Sequence, residues 1–252
     1  MPSLTQEFLR KGQFYNLAME VFERNDWNSP KPLPEIRRVK IVDSDIPGHL
    51  VCRGCYMDVL SNDCTRQEIR DNLASHGVVL IKNALALSEI PPSACVPANS
   101  KRKKIAYTSG NGRAGAGESY YADAPSRYWV EVQNKILRAL LTDDACYSRV
   151  KDRKKAIILS YSQGSENWAH QDGNNDLDFP FQATALLTDE FDGGKFYVAK
   201  KLGIDKISRT IVRMESGDMV IFAASKELKY FHGMLRITRG ERVAVGLFQN
   251  KN

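Results

Sequence analysis

Apolar positions Leu4, Phe8, Phe14, Leu17, Val21 and Phe22 recur at near-helical spacing, which predicts a helix over residues 4–25. The stretch Ser29-Pro30-Lys31-Pro32-Leu33-Pro34 ends it, because proline fixes φ and has no N–H to give, and it reads as an extended linker. Ile36 to Val42 is apolar enough for a short strand. Asn62-Asp63-Cys64-Thr65 offers a helix N-cap, and the amphipathic pattern behind it predicts a helix through Ala74. Gly77-Val78-Val79-Leu80-Ile81 is short and β-branched, so a buried strand is expected there.

Between Pro91 and Ser126 the periodicity disappears, and Thr108 to Gly117 is Gly-rich, which predicts a long mobile loop. Its glycines are not a nucleotide fingerprint, since no strand leads directly into them and no helix directly follows. Tyr128 to Leu141 predicts a helix packed on a sheet. From Lys155 onward the period becomes two. Ala156–Tyr161, Phe181–Leu187, Lys195–Ala199, Thr210–Met214, Asp218–Ala223 and Arg242–Gln249 read as strands separated by Gly, Asp or Pro turns. Many short strands at near-regular spacing imply a closed antiparallel sandwich or barrel. The expected fold class is therefore mainly β with supporting helices (α+β). The expected organisation is an N-terminal helix and linker over 1–35, followed by one domain over 36–252.

The composition, with 42% hydrophobic and 26% charged residues among 252, is that of an ordinary globular protein. No apolar run approaches the roughly 18 residues that span a bilayer, and the first residues carry no signal-peptide stretch. No membrane association and an intracellular address, cytoplasmic or nuclear, are expected. The net charge of +6 permits a polyanionic partner, with its positive charge gathered at Lys101–Lys104 and Lys151–Lys155. Five cysteines make an odd count, expected to be free thiols. His49, Cys52, Cys55 and Cys64 have the form of half a zinc site, but apolar residues between them favour buried thiols.

Within the strand-rich half stand His170-Gln171-Asp172 and, 62 residues after His170, His232. On an extended segment residues two apart share a face, so His170 and Asp172 can reach one ion. Two imidazoles and a carboxylate on one face of a metal leave three positions open, the non-haem Fe(II) arrangement that admits a keto acid and O2 together. Upstream, Tyr161 and Gly164 precede the first histidine. Between the histidines come Gly193-Gly194-Lys195-Phe196 and Gly217-Asp218, and Arg242 follows His232 by ten positions.

Over about residues 155–250 this order resembles the prolyl-hydroxylase-like branch of the Fe(II)/2-oxoglutarate oxygenases. The resemblance implies a double-stranded β-helix (jelly-roll) core with helices outside, and an enzyme that hydroxylates a C–H bond with release of succinate and CO2. It implies Fe(II), 2-oxoglutarate and O2 as cofactor and co-substrates. Arg242 matches the residue that pairs with the distal carboxylate of 2-oxoglutarate, a role suited to a guanidinium. Ala244 stands where the family often has Ser, so a second hydrogen bond must come from elsewhere, with Tyr161 the candidate.

Glu166 to Asn175 also resembles the metal-binding stretch of TET/JBP-type DNA base oxygenases. That resemblance implies a methylated base in DNA as substrate, with Asn175 and its neighbour Asn174 facing the flipped base. The Lys101–Lys104 cluster, the Gly-rich segment with Arg113, and Tyr120-Tyr121 would then meet nucleic acid. A peptidyl hydroxylase, a small-molecule hydroxylase and a non-catalytic module of the same fold are the competing expectations.

Overall fold

A computed structural model describes residues 40–45, 49–51, 63–95, 103–104, 108–109, 112–113, 115–124, 126–141, 143–171, 179–203, 206–224 and 230–250. The expected helix over 4–25, the Pro-rich linker, and Cys52 and Cys55 lie outside these residues. In chain order the first strands are β1 (Lys40–Asp45) and β2 (His49–Val51), followed by helix α1 (Asp63–His76) and β3 (Val78–Lys82). Next come α2 (Pro92–Cys95), β4 (Lys103–Lys104), β5 (Thr108–Ser109), β6 (Gly112–Arg113), β7 (Gly115–Ala116) and β8 (Ser119–Asp123). Helices α3 (Arg127–Leu140) and α4 (Asp144–Lys151) then lead into β9 (Lys154–Tyr161), β10 (Glu166–His170), β11 (Phe181–Leu186), β12 (Phe191–Gly193) and β13 (Phe196–Gly203). The last strands are β14 (Lys206–Val212), β15 (Met219–Ala223), β16 (Tyr230–Met234), β17 (Ile237–Gly240) and β18 (Arg242–Asn250).

Two sheets face each other. The larger has the order β2-β3-β15-β11-β18-β9-β8-β4 and the smaller β1-β14-β13-β16-β10-β7. Their central strands, β15-β11-β18-β9 and β14-β13-β16-β10, alternate between sheets along the chain except at the β13–β14 hairpin, the double-stranded β-helix arrangement that the family resemblance led us to expect. Helix α3 covers the outer face of the larger sheet. Its Ser126 caps the first turn by accepting from Tyr128 N, and Trp129, Val132, Ile136, Leu137 and Leu140 are buried along one side. Trp129 Nε1 donates to Ala94 O at 2.8 Å, which ties α2 to this layer.

The stretch 91–126 departs from expectation. Instead of one mobile loop, its described parts form short strands: β8 pairs with β9, β7 with β10, β4 with β8, and β5 with β6. Two-residue strands rich in glycine carry no period of their own, and only the neighbouring strands define them. Strand β14 begins at Lys206, ahead of the expected Thr210, and β10, β12, β16, β17 and α4 were not foreseen as elements. Asp218, heading β15, is completely buried and accepts from Lys82 Nζ at 2.6 Å, Glu215 N at 2.8 Å and Asn83 N at 2.9 Å. This pins the β3 end of the larger sheet to the turn before β15.

Candidate metal and co-substrate site

Strands β10 and β16 run antiparallel with His170 opposite His232 and Asn167 opposite Met234, and the register shifts between these two pairs. In a regular strand, residues three apart face opposite sides. The irregularity turns both Asn167 and His170 toward the larger sheet, as bulges beside functional sites often do. The two imidazole centroids are 4.4 Å apart. The His170 Nδ1 lies 2.7 Å from the Trp168 carbonyl oxygen. A carbonyl only accepts, so this contact places the proton on Nδ1 and leaves the Nε2 lone pair as the donor to a metal. His232 is buried, its ring 4.7 Å from that of Phe222 across the sandwich and 6.1 Å from that of Phe196. Asp172, Asn174 and Asn175 lie outside the described residues, and among those described no group of three metal-holding side chains is gathered.

On the larger sheet, Arg242 of β18 stands directly across from Tyr161 of β9. Both are buried, at 3% and 5% exposure, and the guanidinium lies 5.8 Å from the phenol ring centroid. Burial pushes the Arg242 pKa down, with Tyr161 pulling the other way. No carboxylate among the described residues forms an ion pair with Arg242, an arrangement that is costly unless an anion arrives. Ala244 and Gly246 follow Arg242 on the same face, opposite Leu159 and Ile157. Phe248 does not continue that face. The chain bulges between Gly246 and Gln249, Phe248 takes φ +63°, and its N–H donates to Gln133 Oε1 on α3 at 2.9 Å.

Asn167 bridges the sheets. Its Nδ2 donates to the Tyr161 hydroxyl at 3.5 Å, while its backbone carbonyl accepts from Tyr197 OH at 3.3 Å. Asn167, on the strand that carries His170, thus reaches Tyr161, which stands across from Arg242 on the larger sheet. The donor set suits a divalent metal with nitrogen ligands at one end and a carboxylate at the other.

Tyr120 falls elsewhere. It pairs with Ser160, whereas Tyr161 pairs with Ser119, and strand alternation therefore puts Tyr120 on the face away from Arg242. Tyr121, opposite Leu159, shares the face of Tyr161. Arg113 sits on β6, paired with Thr108. Sequence reasoning missed Asn167 and the aromatic wall of Phe196 and Phe222. The first was hidden because parity counting from His170 assigns it to the wrong face, the second because aromatic residues in strands look like ordinary core.

The family model Oxygenase-NA, described as "Oxygenase, catalysing oxidative methylation of damaged DNA", matches residues 138–251. No curated protein matches the sequence. Among solved structures, the chain is similar to an oxidoreductase of the 2OG-Fe(II) oxygenase family from Burkholderia pseudomallei, with a TM-score of 0.52 and 14% identity over 81% of this chain and 97% of that one. It is likewise similar to a prolyl hydroxylase from Trichoplax adhaerens, solved with a hypoxia inducible factor oxygen degradation domain peptide fragment. There the TM-score is 0.52 and the identity 13%, over 78% of this chain and 94% of that one. At such identities these two establish the fold. The oxygenase family model covers the part of the chain that forms the central strands of the two facing sheets, and the two solved structures share that fold. Among the described residues no helix is long and apolar enough to cross a membrane.

Proposed function

We propose that this protein is an Fe(II)/2-oxoglutarate-dependent dioxygenase that holds Fe(II) through His170, Asp172 and His232, clamps 2-oxoglutarate with Arg242 and Tyr161, and hydroxylates a methylated base in DNA. The observation that carries the site is the pairing of a 4.4 Å imidazole couple with a buried guanidinium that has no acidic partner among the described residues, in the space between the same two sheets. When bound, the iron couples decarboxylation of the keto acid to oxidation of a C–H bond, with O2 as oxidant and succinate and CO2 as products. The chain's own part is placement. The Trp168 carbonyl fixes the His170 tautomer, Phe222 and Phe196 enclose His232 and exclude water, and Arg242 offers two parallel N–H donors to a carboxylate.

For the substrate, support comes from the description of the matching family model and from the net charge of +6. A base enzyme must extrude its target and read the Watson–Crick edge. Asn174 and Asn175, just past Asp172, supply amides able to do so, and Arg113 a cation for the phosphates. The test is aerobic incubation with Fe(II), 2-oxoglutarate and methylated DNA, with succinate and oxidised bases read by mass spectrometry. Succinate and an oxidised base rising together support the reading. Turnover of a prolyl peptide or a small molecule, with none of DNA, would overturn the choice of substrate.

A further inference from the structure

We infer that the cavity between helices α1, α3 and α4, on the helical side of the larger sheet, is a binding site for a phosphate group. The cavity has a volume of about 470 Å³, and Arg66 and Arg70 of α1, Arg138 of α3, and Asp144 and Tyr147 of α4 line it. Three guanidiniums thus stand against one carboxylate among its described lining residues. Arg66 and Arg70 are four positions apart, so one face of α1 carries both, and like charges at that spacing repel. An anion between them replaces that repulsion with attraction. The planar fork of a guanidinium matches the oxygens of a phosphate, which two parallel N–H donors can hold together.

The fold positions these groups before any ligand arrives. Arg70 Nη2 donates to the Ala139 carbonyl oxygen in the last turn of α3 at 2.9 Å, and the Arg138 guanidinium carbon lies 4.4 Å from the Tyr147 ring centroid. Tyr147 is buried, so the surface on which Arg138 rests is fixed. Arg66 and Arg70 are half-buried, which lessens the screening of their charge by water. Asp144 is exposed in the first turn of α4, where the helix's own N–H groups favour a negative charge. Tying α1 to the end of α3 accounts for Arg70 alone; it leaves the gathering of Arg66 and Arg138 on the same cavity without a purpose in the fold.

The test is calorimetric titration of the full chain with inorganic phosphate, beside fluorescence anisotropy with a labelled double-stranded oligonucleotide, in about 0.1 M salt so that distant charges are screened. The wild type should bind phosphate saturably. Arg66→Gln and Arg138→Gln should each weaken it by about tenfold or more, the loss of a hydrogen bond between charged groups. Arg66→Lys keeps the charge without the fork and should lose less than Arg66→Gln; it also carries the test if the Gln variant fails to fold. Lys135→Gln removes an exposed cation of α3 that does not line the cavity, and should change phosphate affinity by less than about twofold. If the arginine variants weaken the oligonucleotide by a like factor, the phosphate belongs to a nucleic-acid backbone; if they leave it unchanged, it belongs to a free phosphate compound. A wild type without saturable phosphate binding, arginine variants that bind phosphate as the wild type does, or a Lys135→Gln loss equal to theirs overturns the inference. The succinate assay tests the dioxygenase reading separately, and neither failure implies the other.

Discussion

His170 and His232 stand opposite one another on neighbouring antiparallel strands, their ring centroids 4.4 Å apart, although 62 residues separate them along the chain. If they hold one iron, His170→Ala or His232→Ala should abolish stoichiometric iron binding and lower succinate production by at least about a hundredfold. Metal content by elemental analysis and succinate by mass spectrometry check this together. Full iron loading of either variant would remove that residue from the ligand set.

Arg242 separates function from stability. A buried cation with no acidic partner among the described residues weakens the free protein, so Arg242→Met should melt no lower than the wild type while its requirement for 2-oxoglutarate rises steeply. Adding 2-oxoglutarate at about a hundred times its Kd should stabilise the wild type by about 2.7 kcal/mol, and the variant far less. Thermal unfolding with and without the keto acid reads both effects.

The Asp218 carboxylate is structural in the same sense that Arg242 is functional, because its three donors are already present in the fold. Asp218→Ala leaves two backbone N–H groups without their acceptor and Lys82 with Glu215 alone, and should cost about 3–5 kcal/mol in urea unfolding. Burial pulls the Lys82 pKa down, but its hydrogen bonds to Asp218 and Glu215 outweigh this and leave it raised. The stabilisation from Lys82 is therefore complete at neutral pH and is lost as pH climbs past the usual lysine value of 10.5.

Gly233 follows His232 directly, and a Cβ there would run into the Tyr197 hydroxyl and come 2.6 Å from the Asn167 carbonyl oxygen. Gly233→Ala should lower stability by about 1–3 kcal/mol and weaken iron binding, since the strand carrying His232 must move. Adding Tyr197→Phe should recover little of the loss in unfolding experiments, because the ring carbon at 2.5 Å and the Asn167 carbonyl oxygen remain in the way.

The Tyr197 phenol is pushed up from 10.0 to about 12, first by burial and then by Glu166, with Arg209 opposing. The folded state thus favours the neutral phenol. Its contribution is whole below pH 10 and is lost as pH rises toward 12, a decline on the order of 2 kcal/mol. Urea unfolding across that window should show the decline, and Tyr197→Phe should flatten it.

The period-two pattern after Lys155 was enough to read an antiparallel sandwich or barrel, because each strand buries one face or both and writes that into its residues, while the jelly roll came from the family resemblance. His170 and His232 could be marked as a candidate pair by residue type and Arg242 by the family resemblance, and the fold sets the two histidines opposite one another and Arg242 across from Tyr161. The strands between Lys103 and Asp123 were not, because two-residue strands are defined by their neighbours across the sheet. Nor was the side of the sheet that Tyr120 would face, or the inward turn of Asn167. One added residue in a register reverses which side chains look into the site, and only pairing in three dimensions decides where that residue falls.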